Sequence, residues 1–203
     1  MRREGQVQPD HAFAPHRPCS LSEMPPTTDD PDLQLLQQRD PDAWEALYRQ
    51  SYSMMRGYAA RRAPAGADPD DLVSEAMARA LDRIDTFEDR GMRIRAWLFG
   101  VLRHVVLEHI RSSSRSQAVD LDTHEDAGRG PLQTVLHEEE SAAVREGFSR
   151  LSEDDQELLW FRVVAGLSAA ETATLVGRGE GAVRQAQSRA LTRLRTTMQE
   201  VHP

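Results

Sequence analysis

Four polar side chains near the start of one C-terminal segment, Arg184, Gln185, Ser188 and Arg189, are the residues whose types and spacing best suit chemistry. Arg184 and Ser188 stand four apart, one turn above the other on a helix, while Val183, Ala186, Ala190, Leu194 and Met198 form a separate apolar stripe. The chemistry open to such a face is recognition. A guanidinium fork pairs with guanine in bidentate fashion, further arginines clamp phosphates, and the N-terminal end of a helix is the part that enters a major groove. On an isolated helix a basic face more often only meets solvent. Here a short capped helix and the turn Gly177-Arg178-Gly179 precede it, which is the layout of a helix-turn-helix.

Nothing in the chain suggests covalent catalysis. His104 and His109 are five apart and so lie on different helix faces, and His124-Glu125 and His137-Glu138 fall in or beside a polar stretch. No triad, Gly-rich phosphate loop or carboxylate pair emerges, so the expectation is a protein that is not an enzyme, with no cofactor and no small-molecule substrate. Cys19 is the single cysteine, which excludes an internal disulfide, and no Cys/His spacing approaches a zinc site. A reducing, cytoplasmic setting fits. No run of 18 apolar residues occurs, and no apolar stretch follows the two N-terminal arginines, so neither membrane insertion nor secretion is expected.

Every one of the 25 cationic side chains is arginine, which suits phosphate binding and equally fits a genome rich in G and C. The net charge of −8 conceals a polarised distribution. One arginine faces seven carboxylates between Ser116 and Glu140, whereas five arginines face one glutamate from Arg178 to Arg195. The local field, not the sum, decides binding to DNA.

The elements that must position these residues are helices. Alanine, leucine, arginine and glutamate are plentiful, and no long run alternates with a period of two. Residues 1–30, with prolines at 9, 15, 18, 25 and 26, read as a disordered tail. Whether it is a regulatory arm or lies ahead of a true start at Met24 stays open. Asp40-Pro41 opens a helix carrying Trp44, Leu47, Tyr48, Tyr52, Met55 and Ala59 on one face. Asp68-Pro69 opens a second, with Leu72, Val73, Ala76, Met77, Ala80, Leu81 and Ile84 at amphipathic spacing. After a polar loop from Asp85 to Arg93, Ile94, Trp97, Leu98, Val101, Leu102, Val105, Val106 and Ile110 mark a third.

Residues 31–114 therefore predict one helical bundle, and 115–137 an acidic, flexible linker. Residues 138–203 predict a second domain with helices over about 138–150, 153–165, 169–176 and 180–199. Ser152 with Asp155, and Ser168 with Glu171, have the spacing of capping boxes. The fold class is all-α: two small helical domains, an N-terminal bundle and a C-terminal helix-turn-helix, joined by a flexible linker.

The stretch LSEDDQELLWFRVVAGLSAAETATLVGRGEGAVRQAQSRALTRLR, Leu151 to Arg195, resembles the promoter-reading C-terminal domain of extracytoplasmic-function sigma factors of the sigma-70 family. DPDDLVSEAM, Asp68 to Met77, is similar to that family's DxxDLVQExF signature, with Ser74 and Met77 replacing glutamine and phenylalanine. RAWLFGVLRHVVLEHIR, Arg95 to Arg111, resembles its RAWLxxIARNxxIDxxR helix, with His104 where asparagine and Glu108 where aspartate is usual. Ile94 likewise stands where phenylalanine is common.

The resemblance implies a function and a set of partners. A first domain, region 2-like, would dock on the clamp helices of the largest subunit of core RNA polymerase through Asp71, Leu72, Val73 and Glu75. It would capture and open the minus-ten element through Arg93, Arg95, Arg103, His104 and Arg111, the loop from Asp85 to Arg93 offering a pocket for an extruded base. A second, region 4-like, would read the minus-thirty-five element of promoter DNA through Glu180, Arg184, Gln185, Ser188 and Arg189. An anti-sigma factor is the further partner it implies. Trp97 lies in register with Ile94, Val101 and Val105, which favours packing over base stacking. Two other readings stay open from the residues: a helix-turn-helix regulator that never docks on polymerase, and a helical adaptor that binds only proteins.

Overall fold

The structure, a computed structural model, describes residues 30–88, 91–117 and 138–201. The tail and almost all of the linker expected from the sequence lie outside the described residues. All regular structure among them is helical.

Chain order begins with α1 (Leu33–Gln37), a single short turn capped by the Asp32 side chain. Five residues cannot display a helical period, so the sequence did not announce it. Leu36 is nonetheless fully buried, and its carbonyl accepts the Trp44 indole N–H at 3.0 Å. Then come α2 (Pro41–Arg62) and α3 (Pro69–Arg83), each begun by an aspartate N-cap followed by proline. Asp40 accepts the Ala43 N–H at 2.9 Å and Asp68 that of Asp70 at 2.8 Å. A 3₁₀ turn (Ile84–Thr86) leads into the loop before α4 (Ile94–Gln117), which runs three residues past the expected domain boundary at 114.

Leu47, Met55 and Ala59 of α2, Leu72, Val73, Ala76 and Ala80 of α3, and Ile94, Leu98, Leu102 and Val105 of α4 interlock as the core of this bundle. Tyr48, expected on the inner face, is 38% exposed and lies at a tilt against Tyr52, 5.1 Å between ring centres.

The second half contains α5 (Glu138–Ser149), α6 (Glu153–Leu159), α7 (Ala169–Val176) and α8 (Glu180–Val201). The helix expected over 153–165 ends early. From Trp160 to Val164 the chain widens into a π-helical turn, and the Ala165 N–H reaches back five residues to the Trp160 carbonyl at 2.9 Å. One extra residue per turn changes the direction in which side chains leave the axis. Trp160 and Phe161 here point away from their own domain.

They point into the first one. Trp160, Phe161, Ala165 and Leu167 belong to the same buried cluster as α2, α3 and α4. Phe161 stacks on Tyr58 at 5.2 Å between ring centres and meets Phe99 edge-on at 6.1 Å. The two units foreseen as separate domains therefore share a core. The sequence carried a signal of this: Ala96 and Phe99 are apolar positions of α4 off the stripe that packs on α2 and α3. A helix apolar on more than one side is covered on more than one side.

Candidate nucleic-acid interface

The second half builds its exposed basic face from the capping chemistry upward. Ser168 accepts the Glu171 N–H at 3.1 Å while the Glu171 carboxylate takes the Ser168 N–H at 2.7 Å, closing the reciprocal box anticipated from the sequence. Ser152 accepts the Asp155 N–H at 3.3 Å, the one-sided version. Gly177 ends α7 with φ of 67°, a left-handed conformation that lets the chain turn at once into α8.

Val183 and Ala186 are buried against α6 and α7 and Ala190 against α5 and α6, with Leu194 and Met198 half-buried further along. Glu180, Arg184, Gln185, Ser188 and Arg189 are all exposed. The five side chains expected to meet duplex DNA thus share one solvent-facing surface at the start of one helix. Arg184 leans on Glu180 at 2.5 Å, an exposed pair that orients the fork more than it stabilises the fold. Arg162, under the turn, donates to the Leu167 carbonyl and to Gln187 at 2.8 Å, fixing the turn to the core.

In the first half the expected strand-binding residues divide into two groups. His104 and Arg111 are exposed on α4, with His104 beside Glu108 at 2.9 Å. Arg93, Arg95 and Arg103 are engaged. Arg95 holds Asp30 and Gln50, both at 3.3 Å, and its side chain is only 12% exposed. Arg93 grips both oxygens of Glu171 at 2.8 Å and the Gly166 carbonyl at 3.0 Å. Arg103 spans both oxygens of Glu157, at 3.1 and 3.2 Å, and the Tyr58 hydroxyl donates to the same carboxylate at 2.6 Å.

The loop between α3 and α4 borders an open cleft of about 610 Å³ lined by Phe87, Met92 and Trp97 on one side and Ala170, Glu171 and Thr174 on the other. Trp97 packs against Phe87 at 5.2 Å, half-buried, so it serves the core's edge and the cleft wall at once.

Of the residues expected to dock on a protein partner, Asp71 is exposed and Glu75 partly so. Leu72 and Val73 are 1% and 0% exposed, packed in the bundle core beneath the acidic face that α3 presents. Glu75 is itself positioned, by Arg79 at 2.5 Å and His109 at 2.9 Å, and Arg79 continues to Glu108 at 2.6 Å. At the start of the same helix Asp70 accepts the Tyr52 hydroxyl at 2.5 Å and Arg56 at 3.1 Å, which hold its carboxyl below the usual range. No local pattern marks Tyr58, Glu157, Trp160 or Glu171 as inter-unit groups, because each partner lies far away along the chain.

Burial alone would raise the Glu171 carboxyl, but the Arg93 fork and the Ser168 donors outweigh it and hold it down from 4.5 to about 2. A depressed folded-state value means that the stabilisation is full above pH 4.5 and is lost as pH falls toward 2. Thermal melts followed through that window should show the Glu171→Gln variant losing less stability on acidification than the parent. Equal slopes would show that this carboxylate is not the group that matters there.

Comparison with known proteins follows the same division. Residues 47–116 match the family profile described as Sigma-70 region 2, and residues 141–194 the one described as Sigma-70, region 4. The chain is 37% identical over 153 residues to the ECF RNA polymerase sigma factor BldN of Streptomyces coelicolor, across 74% of this chain and 58% of BldN. It therefore spans less than two thirds of that relative's length. It is 30% identical over 160 residues to the ECF RNA polymerase sigma factor SigL of Mycobacterium tuberculosis, across 77% of this chain and 89% of SigL. Among solved structures, the sigma factor RpoE in complex with the anti-sigma factor NepR from Bartonella quintana has a similar fold, with a TM-score of 0.58 and 24% identity. That likeness covers 80% of this chain and 96% of the other.

Proposed function

Because the chain belongs to the extracytoplasmic-function sigma factors of the sigma-70 family, we propose that it binds core RNA polymerase and directs promoter-specific transcription initiation. The observation that carries this reading is the pairing, in one chain, of an acidic α3 with a helix-turn-helix whose Arg184, Gln185, Ser188 and Arg189 are exposed to solvent. Neither half would suffice. An acidic docking helix gives no register on DNA, and a single recognition helix gives weak binding unless a tethered second site raises its effective concentration.

In this reading Asp71 and Glu75 meet the clamp helices of the largest polymerase subunit, and α8 enters the major groove of the minus-thirty-five element with Glu180 steering Arg184. Arg93, Arg95, Arg103, His104 and Arg111 hold the minus-ten strand beside the Phe87–Trp97 cleft. The work is non-enzymatic: strand opening needs only a surface that binds an unstacked base better than a paired one. The domains divide at 31–114 and 138–203, the acidic 115–137 stretch linking them, and the protein acts in the cytoplasm. The similarity to a factor solved with its anti-sigma factor supports a partner of that kind here.

In vitro transcription with core polymerase on genomic fragments, followed by start-site mapping, tests the proposal. Start sites absent without the protein and present with it are expected; association without start-site selection would sink it. Asp71→Ala with Glu75→Ala should weaken core binding on the order of tenfold or more, as loss of a charged anchor does, while leaving full-length binding to minus-thirty-five duplex intact. A chain that keeps its polymerase affinity after both changes docks elsewhere.

A further inference from the structure

The chain leaves α1 through a turn that a large side chain disfavours. The Asp40 N–H reaches back to the Leu35 carbonyl and the Arg39 N–H to that of Leu36, both at 3.0 Å, a paired closure that puts the residue after the helix in the left-handed region. Glycine is the usual occupant of such a place, because it has no β-carbon to crowd the following carbonyl oxygen. Arg39 takes it with φ of 58°, whereas the other left-handed positions among the described residues, 66, 91, 166 and 177, are glycines. A backbone cost of this kind persists where the side chain has a task.

Fold stability is a poor account of that task. The Arg39 guanidinium meets the Asp85 carboxylate at 3.2 Å, but the two side chains are 55% and 58% exposed, and an ion pair so open to water adds little. What the pair does fix is a place. Asp85 directly precedes Thr86 and Phe87, which line the cleft together with Trp97, and at the same end of α1 the Gln37 amide donates to the Phe87 carbonyl at 3.3 Å. The Arg39 guanidinium is thus held at the rim of the cleft, while Arg93, Arg95 and Arg103 are each engaged by carboxylates of the chain.

We propose that Arg39 is a further strand contact: its guanidinium binds a backbone phosphate of the unpaired strand whose base enters the cleft beside Phe87 and Trp97. This deepens the proposed function and rests on it. A nucleotide offers a flat base and a phosphate to neighbouring surfaces. Phe87 and Trp97, 5.2 Å apart between ring centres, give the base an aromatic wall, and a planar guanidinium takes two phosphate oxygens at once. Asp85 orients Arg39 and also limits its affinity, since carboxylate and phosphate compete for the same donors. Both partners already face water, so the exchange requires no buried charge to be uncovered.

Arg39→Gly is the direct test, because it removes the guanidinium and suits the left-handed backbone, leaving the melting temperature close to that of the parent. Arg39→Asn, which also accepts this backbone, repeats the test should the glycine variant fold poorly. With the full chain on core polymerase and a labelled template unpaired over the minus-ten element, Arg39→Gly should bind about fivefold more weakly. It should also lose about 0.7 from the slope of log affinity against log salt, the share of one single-strand phosphate. Arg39→Lys should keep that slope. Asp85→Asn should bind about twofold more tightly.

A bracing role for the pair predicts a different pattern, since Arg39→Gly and Asp85→Asn break the same contact and would shift binding in the same direction. That outcome overturns the proposal, as does a salt slope unchanged by Arg39→Gly. A loss confined to the affinity for core polymerase overturns it too, by assigning Arg39 to a protein surface. A parent that confers no start site defeats the proposed function instead; the slope is then read with the full chain alone on an unpaired oligonucleotide, where an Arg39→Gly variant equal to the parent removes this contact as well. A chain that programmes start sites with strand binding indifferent to Arg39→Gly keeps the function and loses the contact.

Discussion

Phe161→Ala is expected to lower the unfolding free energy by about 3–5 kcal/mol, the usual loss for deleting a fully buried ring. The side chain is 0% exposed and sits between Tyr58 and Phe99, both at 1% or less, so the void has no flexible neighbour to fill it. For a chain of this size that is a fall in melting temperature on the order of 10 °C. The informative part is which half responds. Phe161 belongs by sequence to the second unit and by packing to the first, so both should melt earlier and together. Denaturant titration followed by near-ultraviolet signals checks it. A second unit that melts early beside an unchanged first unit would mean the shared core does not exist in solution.

Arg184→Ala should reduce affinity for minus-thirty-five duplex by about 5- to 150-fold, the value of one bidentate base contact of about 1–3 kcal/mol. The fork is 69% exposed and already aimed by Glu180, so little reorganisation is needed to reach a base edge. Removing it should relax discrimination at one base position. Arg189→Ala, four residues after Gln185 on the same face, should weaken all duplexes alike and lower the salt dependence by about one counterion. Binding isotherms at several salt concentrations, on duplexes taken from mapped start sites, separate the two. Arg184→Lys should behave as Arg184→Ala in discrimination while keeping the salt slope, because an ammonium retains charge without the planar fork. Identical behaviour of Arg184→Ala and Arg189→Ala would place both on phosphates.

The helices around these residues were legible because their signals are local. Asp40-Pro41, Asp68-Pro69 and Ser168 with Glu171 each satisfy backbone N–H groups within one turn, so residue types at fixed short offsets are enough to place a start. The inward stripe of α8 was readable for the same reason: Val183, Ala186 and Ala190 recur with the helical period whatever they pack against. The sequence also yielded the exposed identity of Arg184, Gln185, Ser188 and Arg189, by elimination from that stripe.

What lay beyond it was everything that depends on a partner distant in the chain. The family resemblance assigned Leu72 and Val73 to docking while their spacing put them on the apolar stripe, and the packing of α3 on α2 and α4 buries them. Trp160 and Phe161 continue the period of α6, and only the π-helical turn redirects them. Arg93 and Arg103 look from their residue types like free cations, yet their carboxylates lie 78 and 54 residues away. Periodicity and capping are properties of a few consecutive residues, so the sequence by itself determined the helices and their faces. Which face meets which, and hence which arginines are free to meet DNA, is settled by burial and ion pairing between segments that share no local pattern, and that the tertiary structure alone decided.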